Sequence, residues 1–191
     1  MDKNKTRLTT RRIVLIAIFS AITFVQEELL TFIPNVQFTQ CLFAIYYYSF
    51  GLTDTLIIVV IHTLLDNLYM GSFNLLYTPA MLVGWISLPL ILHLFSKIIN
   101  KNGKPNVALV SLIVGLHGFI YSWMFVFVSV VLYKVEFLPY FISDIPFEII
   151  LCVCGFTTTF ILLEPLTKVL TRLHTVNSIE QSDDETNDID S

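Results

Sequence analysis

Long runs of apolar residues, separated by short polar breaks, cover most of the chain. A transmembrane helix needs about 20 mostly apolar residues, because the hydrocarbon core of a bilayer is about 30 Å thick. The second run is shorter than the others and would have to be tilted or buried within the protein. The pattern predicts an all-α membrane protein with six transmembrane helices, at residues 13–33, 38–51, 54–70, 77–99, 107–133 and 141–170.

Composition excludes a soluble domain. Hydrophobic residues make up 55% of the 191 positions and charged residues only 14%, whereas about 25% is usual for a soluble domain. We therefore expect a lipid bilayer around the protein and no nucleic-acid partner. The three cysteines, Cys41, Cys152 and Cys154, lie in apolar runs, which indicates packing residues rather than a disulfide framework or a metal site.

Charge is concentrated at the two ends of the chain and divides it into three parts. Residues 1–12 are basic, residues 13–172 carry the apolar runs, and residues 173–191 are acidic and polar. Such a polar segment cannot bury enough apolar surface to fold alone. We predict a basic cytoplasmic N-terminus, a six-helix membrane domain and a disordered acidic cytoplasmic tail.

The basic residues predict the orientation, because loops rich in Lys and Arg stay in the cytoplasm. With both termini inside, six spans leave Lys134 as the only basic residue outside, out of eleven. Five spans would place the basic loop at 97–104 outside. The count therefore favours six helices in a multi-pass protein of the cell membrane.

Polar side chains inside a membrane cost free energy and call for a functional or structural reason. Those of this chain converge on the outer half of the predicted bundle, which suggests a cavity for a small molecule. Interhelical hydrogen bonds or contact with water would also explain them. The candidate substrate-binding residues are Glu27, Glu28, Asn35, Gln37, His62, Asp66, Asn67, Asn74, Trp85, His117, Tyr121 and Glu148.

The charge of this outer half predicts the kind of substrate. Carboxyl groups are abundant there, and the spans carry no Lys or Arg at that depth. We expect a cationic or neutral, heteroaromatic ligand. In the inner half, Glu164 is the main acid, and Lys168 four residues later is expected to pair with it on the helix surface.

The first span contains Ala17-Ile-Phe-Ser-Ala21. Small residues four positions apart let a partner helix approach closely. This motif, together with the length, topology and outer polar cluster, resembles the substrate-binding S components of energy-coupling factor (ECF) vitamin transporters over about residues 8–173. The resemblance implies that Ala17 and Ala21 dock on the transmembrane coupling subunit.

The resemblance also implies a function without catalysis. S components bind a vitamin or related micronutrient on the outer side and carry it inward by toppling in the membrane, driven by two separate ATPase subunits. This chain contains no phosphate-binding Gly-x-x-x-x-Gly-Lys-Ser/Thr loop, so it cannot hydrolyse ATP by that route. We expect no enzyme activity and no cofactor.

Three alternatives remain open at this stage. Glu27-Glu28 and His62-x-x-x-Asp66 partly match intramembrane proteases of the CAAX type, although Phe32 stands where that signature has Arg. His62 and Asp66 share one helix face and could begin a metal site, with His117 and Glu28 completing it. A membrane scaffold protein without transport activity would share the apolar composition.

Overall fold

The computed structural model describes residues 9–71, 75–101 and 104–187, with side chains up to residue 172 apart from that of residue 101. Within these ranges the chain is a helical bundle. Its only strands there, β1 (Asn100–Lys101) and β2 (Lys104–Pro105), form a small antiparallel hairpin. The helices are α1 (Thr10–Leu30), α2 (Thr39–Phe50), α3 (Leu52–Tyr69), α4 (Tyr77–Leu94), α5 (Ser96–Ile99), α6 (Val107–Tyr133) and α7 (Phe137–Asn187).

Five of these helices, α1, α3, α4, α6 and α7, are long and apolar enough to cross a membrane. The prediction of an all-α membrane protein is confirmed at this level. Helix α2 has 12 residues, which gives it a length of about 18 Å, shorter than a bilayer core. The predicted fourth span also ends earlier than expected, at Leu94, and short α5 follows it.

Helix α2 lies inside the bundle instead of facing lipid. None of its 12 residues is exposed, and its most extensive packing is against α7. Cys41, Phe43 and Ile45 are completely buried in the apolar core. Close packing on α7 depends on Gly155, because a Cβ there would stand 2.3 Å from the amide oxygen of Gln40.

Contacts between helices fix their relative directions. Arg12 at the start of α1 donates from Nε to Oδ1 of Asp54 at the start of α3, at 2.8 Å. These two helices therefore begin at the same end of the bundle and run parallel. Helix α7 runs antiparallel to α6, because Ser122 pairs with Asp144 and Ser129 with Tyr140. We call the two ends the Arg12 end and the Glu27 end.

The outside of the bundle is apolar, unlike that of a soluble protein, and polar side chains are buried beside the apolar core. Leu29 is 68% exposed, Val131 65% and Ile161 63%. In contrast, His62 and Asp66 are completely buried. Lipid chains are the surroundings in which this exposed apolar surface is stable.

Helix α7 is much longer than a membrane needs. Residues Phe137–Arg172 form its apolar part, and the helix continues to Asn187. It thus includes most of the acidic segment for which the sequence predicts disorder. Pro146 and Pro165 lie within the helix.

Candidate functional site

A cavity of about 360 Å³ opens at the Glu27 end of the bundle. Five helices meet there: α1 and α3 end at it, α4 begins at it, and α6 and α7 pass it near their connection. The segment between α1 and α2 supplies a further wall through residue 31 and residues 33–37. The volume falls near the lower end of the usual range for small-molecule pockets, about 300–1,000 Å³.

Carboxylates from three helices line this cavity: Glu27 from α1, Asp66 from α3 and Asp144 from α7. No Lys, Arg or His side chain lines it within the described ranges. Lys134, at the end of α6, is exposed and does not line it. The cavity is therefore acidic, and it favours ligands that carry positive charge or hydrogen-bond donors.

A small polar network holds Glu27 and the neighbouring segment in place. The Glu27 Oε2 atom accepts a hydrogen bond from Oγ1 of Thr39 at 2.9 Å. Gln26 donates to the same Thr39 hydroxyl at 2.7 Å and accepts from the backbone N–H of Phe38 at 2.9 Å. These bonds join the end of α1 to the start of α2, so the connecting wall of the cavity is anchored at both sides.

His62 lies directly behind Glu27. Its Nε2 atom is 3.2 Å from Oε2 of Glu27, but the contact lacks hydrogen-bond geometry. The imidazole ring is completely buried and packs edge-on against Phe43. Asp66 lies one helical turn further along α3 on the same face, but the two side chains do not hydrogen-bond to each other.

Aromatic rings form the opposite wall. Tyr121 lines the cavity and stacks on Trp85, with ring centroids 3.9 Å apart. The α4 backbone allows this approach only because residue 84 is glycine, since a Cβ there would stand 2.9 Å from the Tyr121 ring. Phe125 packs edge-on against Tyr121, with centroids 4.8 Å apart. Tyr121 is thereby fixed in one position.

Five residues of the sequence-based set line the cavity: Glu27, Asn35, Gln37, Asp66 and Tyr121. The others lie around it or deeper in the bundle. Glu28 and Glu148 each have a buried carboxyl oxygen without a hydrogen-bond partner among the described residues, but neither lines the cavity. Trp85 does not line the cavity but stacks on Tyr121, which does. Asn74 lies outside the described residues.

His117 and Asn67 have structural partners. The Nε2 atom of His117 is 3.1 Å from the carbonyl oxygen of Gly84 and 2.9 Å from Oγ of Ser87, which ties α6 to α4. Asn67 donates to the Thr63 carbonyl and accepts from Thr78, which ties α3 to α4. Interhelical hydrogen bonding accounts for the buried polarity of Asn67 and of His117 Nε2, whereas His117 Nδ1 is buried without a hydrogen-bond partner among the described residues.

Sequence reasoning missed several cavity residues. Tyr77, Ser122 and Tyr140 line the cavity but were absent from the candidate set. The spacing of Tyr140 and Asp144, four residues apart on α7, could have indicated Tyr140, because such residues share a helix face. Tyrosines near helix ends are also typical of the membrane interface, so their type alone does not distinguish the two roles.

Comparison with known proteins does not identify a family. No family model, curated protein or solved structure matches this chain. The chemistry of the site must therefore be argued from its geometry alone.

That geometry suits binding better than metal chemistry. In the described part of the chain, no group of three or more His, Cys, Asp or Glu side chains could hold a metal ion. Glu27 and His62 are two such side chains in contact. His117, which the sequence suggested as a further metal ligand, bonds to α4 instead. The arrangement can accept hydrogen bonds, carry negative charge and stack on a flat ligand.

Proposed function

We propose that this protein is the substrate-capture subunit of an ECF-type importer and binds a vitamin or related micronutrient without catalysis. The observation that carries the proposal is the cavity of about 360 Å³ at the Glu27 end, lined by carboxylates and aromatic rings from several helices. A site lined by so many separate elements can hold a small ligand on several sides, and an importer's capture subunit has to do this.

Helix directions support six crossings. Because α1 and α3 are parallel and both begin at the Arg12 end, the chain between them has to return across the bundle. Residues 31–38 and α2 make that return, and Gly51 alone connects α2 to α3. Its φ of 85° and ψ of 178° lie in a region that is essentially restricted to glycine. On this basis, short α2 counts as the second crossing.

The basic residues support a cytoplasmic Arg12 end in the cell membrane. Lys97 follows α4, Lys104 lies in the β-hairpin, and Lys168 lies near the end of the apolar part of α7. With Arg12, they mark one end of the bundle, as the positive-inside rule requires of a cytoplasmic face. The cavity then faces the outside, where an importer meets its substrate.

The exposed face of α1 supports docking on a coupling subunit. Ala17 and Ala21 are both exposed, and their neighbours on this face, Val14, Ile18 and Val25, are 47–50% exposed. Small side chains here leave a shallow groove in which another helix could pack closely. The groove lies on the outside of α1, away from α3, which packs on its other side.

The decisive experiment is uptake in proteoliposomes. The small molecule retained by the purified protein is first identified by mass spectrometry and then used as the substrate. Uptake should require the coupling subunit, the ATPases and ATP, whereas binding to the isolated protein should require none of them. Uptake by this chain alone, driven by an ion gradient, would contradict the proposal.

A docking variant separates assembly from binding. Ala17→Leu with Ala21→Leu should abolish co-purification with the coupling subunit and stop uptake, because the two added isobutyl groups fill the groove. Ligand affinity should remain within about twofold, since the cavity lies at the other end. The control is Val14→Leu with Ile18→Leu, on the same face but without loss of a small residue. If the Ala17, Ala21 variant still assembles, the docking assignment is wrong.

One observation favours a second candidate, an intramembrane protease of the CAAX type. Glu27 and His62 are in contact across α1 and α3, at 3.2 Å, and such a pair could activate water. Cleavage of prenylated peptides by the purified protein, lost in Glu27→Gln, would support the protease and overturn the transporter. The absence of cleavage together with ATP-dependent uptake would exclude it.

A further inference from the structure

Asp66 is a carboxylate at the wall of the cavity, and no described residue forms a hydrogen bond with it. It lines the cavity and its side chain is completely buried. Neither of its two carboxyl oxygens has a hydrogen-bond partner among the described residues. A buried carboxylate without a hydrogen bond is energetically unfavourable, so we expect a ligand group to donate to it.

The other two carboxylates of the cavity already have partners. Glu27 accepts a hydrogen bond from Thr39 at 2.9 Å and contacts His62. Asp144 accepts from the hydroxyl of Ser122 at 2.9 Å. Asp66 is therefore the lining acid with the most unused accepting capacity, although all three contribute negative charge.

Aromatic rings stand around the same space. Tyr77, Tyr121 and Phe125 line the cavity with Asp66, and Phe125 lies 4.8 Å from each of the two tyrosine rings, measured between centroids. The negative faces of such rings attract cations, and flat ligands stack on them. The wall is therefore suited to a ligand that is both flat and positively charged.

We propose that Asp66 anchors the positively charged, hydrogen-bond-donating group of a small aromatic ligand, whose ring lies between the aromatic side chains. The proposal rests on the proposed function and adds the substrate class: an organic cation rather than an anionic or neutral compound. Two free carboxylate oxygens match a planar donor pair such as an amidinium, which donates two parallel hydrogen bonds.

The test uses three nearly isosteric probes that differ in charge: benzamidinium, benzamide and benzoate. Binding to the full-length protein in detergent, freed of retained ligand by washing, is measured by saturation-transfer NMR and by thermal shift. Benzamidinium should bind at least about tenfold more tightly than benzamide, because its hydrogen bonds to a carboxylate are charge-assisted. Benzoate should not bind measurably, since it meets three carboxylates.

Two variants assign the charge preference to a residue. In Asp66→Asn the preference for benzamidinium over benzamide should fall to about onefold to twofold. Glu136→Gln is the matched control: it removes one carboxylate at the same end of the bundle but outside the cavity, and the preference should persist. Size-exclusion profiles and unfolding temperatures show that each variant is folded before binding is compared.

Each result has one interpretation. Equal binding of benzamidinium and benzamide, preferred binding of benzoate, or no binding of any probe at 20 mM would overturn the proposal. So would an unchanged preference in Asp66→Asn. If that variant does not fold, the retained small molecule of the wild-type protein decides: it must carry a positive charge at pH 7, and a neutral or anionic one overturns the proposal.

Failure of this inference is distinguishable from failure of the proposed function. Cation binding that depends on Asp66, together with uptake that needs no ATPase, would keep the inference and contradict the ECF importer. ATP-dependent uptake of an anionic vitamin would keep the importer and contradict the role of Asp66.

Discussion

The carboxylates at the two ends of the bundle differ in the partners that they have. At the Arg12 end, Asp54 pairs with Arg12, and Glu164 pairs with Lys168 at 2.6 Å. At the Glu27 end, the three carboxylates of the cavity have only hydroxyl groups and one imidazole beside them, or no partner among the described residues. The same residue types thus serve two different purposes in one small protein.

This difference separates structural charges from functional ones. A buried charge whose partner is also part of the fold fixes the register of two helices, as Arg12 and Asp54 do for α1 and α3. A buried charge without a partner lowers stability, and proteins retain such destabilising groups mainly at functional sites. By this criterion, we expect the Glu27 end to be the part of the protein that binds a ligand.

The strongest way to test the comparison is Asp54→Asn. The substitution leaves the guanidinium of Arg12 without its carboxylate in a site where the two side chains are 19% and 11% exposed. We expect the free energy of unfolding to fall by about 3 kcal/mol, at the lower end of the range for broken buried pairs because some solvent reaches this one. Denaturation by SDS, followed by circular dichroism, measures the change. A decrease in the free energy of unfolding of less than about 1 kcal/mol would contradict a structural role for this pair.

The next largest effect tests whether aromatic packing, rather than ion pairing, orders the Glu27 end. In Gly84→Ala the new Cβ would stand 2.9 Å from the Tyr121 ring, which cannot retreat because it is stacked on Trp85. We expect about 2 kcal/mol of destabilisation, within the range for overpacking. The fluorescence of Trp85, measured in a Trp123→Phe background because the chain has two tryptophans, should also shift. Val83→Ala, at an exposed position on the same helix, should leave it unchanged. An unaltered Trp85 signal would contradict the close packing of these rings.

Asp66→Asn sharpens the comparison, because the same chemical change should act in the opposite direction. In ligand-free protein, the amide removes an uncompensated carboxylate from a buried site, so stability should rise by about 1 kcal/mol. The measurement is again SDS denaturation, run beside Asp54→Asn. If both substitutions destabilise the protein equally, the distinction between the two ends is wrong.

The smallest effect is expected for Lys168→Ala. Lys168 and Glu164 are 66% and 61% exposed, and exposed pairs within one helix contribute little because water and salt screen them. The unfolding temperature should not change measurably, in low salt or in 0.5 M NaCl. A clear decrease would show that α7 depends on this pair at the surface.

Hydropathy could predict the membrane helices because a bilayer imposes both length and apolar surface on each one. The pair Glu164 and Lys168 was predicted from its four-residue spacing, and this prediction is confirmed. Pairs between distant helices could not be derived in this way. The bond from Arg12 to Asp54 joins residues 42 positions apart, and no local pattern indicates that α1 and α3 are neighbours.

Depth in the membrane predicted which residues would be buried and polar, but not which way they would point. Asp66 and His117 looked equivalent in the sequence, yet Asp66 lines the cavity without a partner and His117 bonds to α4. The rotation of each helix about its axis decides this, and it follows from packing across the whole bundle, for example from the glycines that let α4 and α7 approach their neighbours.

The buried position of α2 has a consequence for how the protein is made. A helix that enters a membrane early must be tolerated by lipid on every side. Helix α2, however, carries Thr39 and Gln40 at buried positions and packs chiefly against α7, which is synthesised later. Thr39 can already pair with Gln26 and Glu27 of α1, but Gln40 lacks the helix that packs against its side chain until α7 is made. The packing around α2 is therefore complete only after α7 has been synthesised.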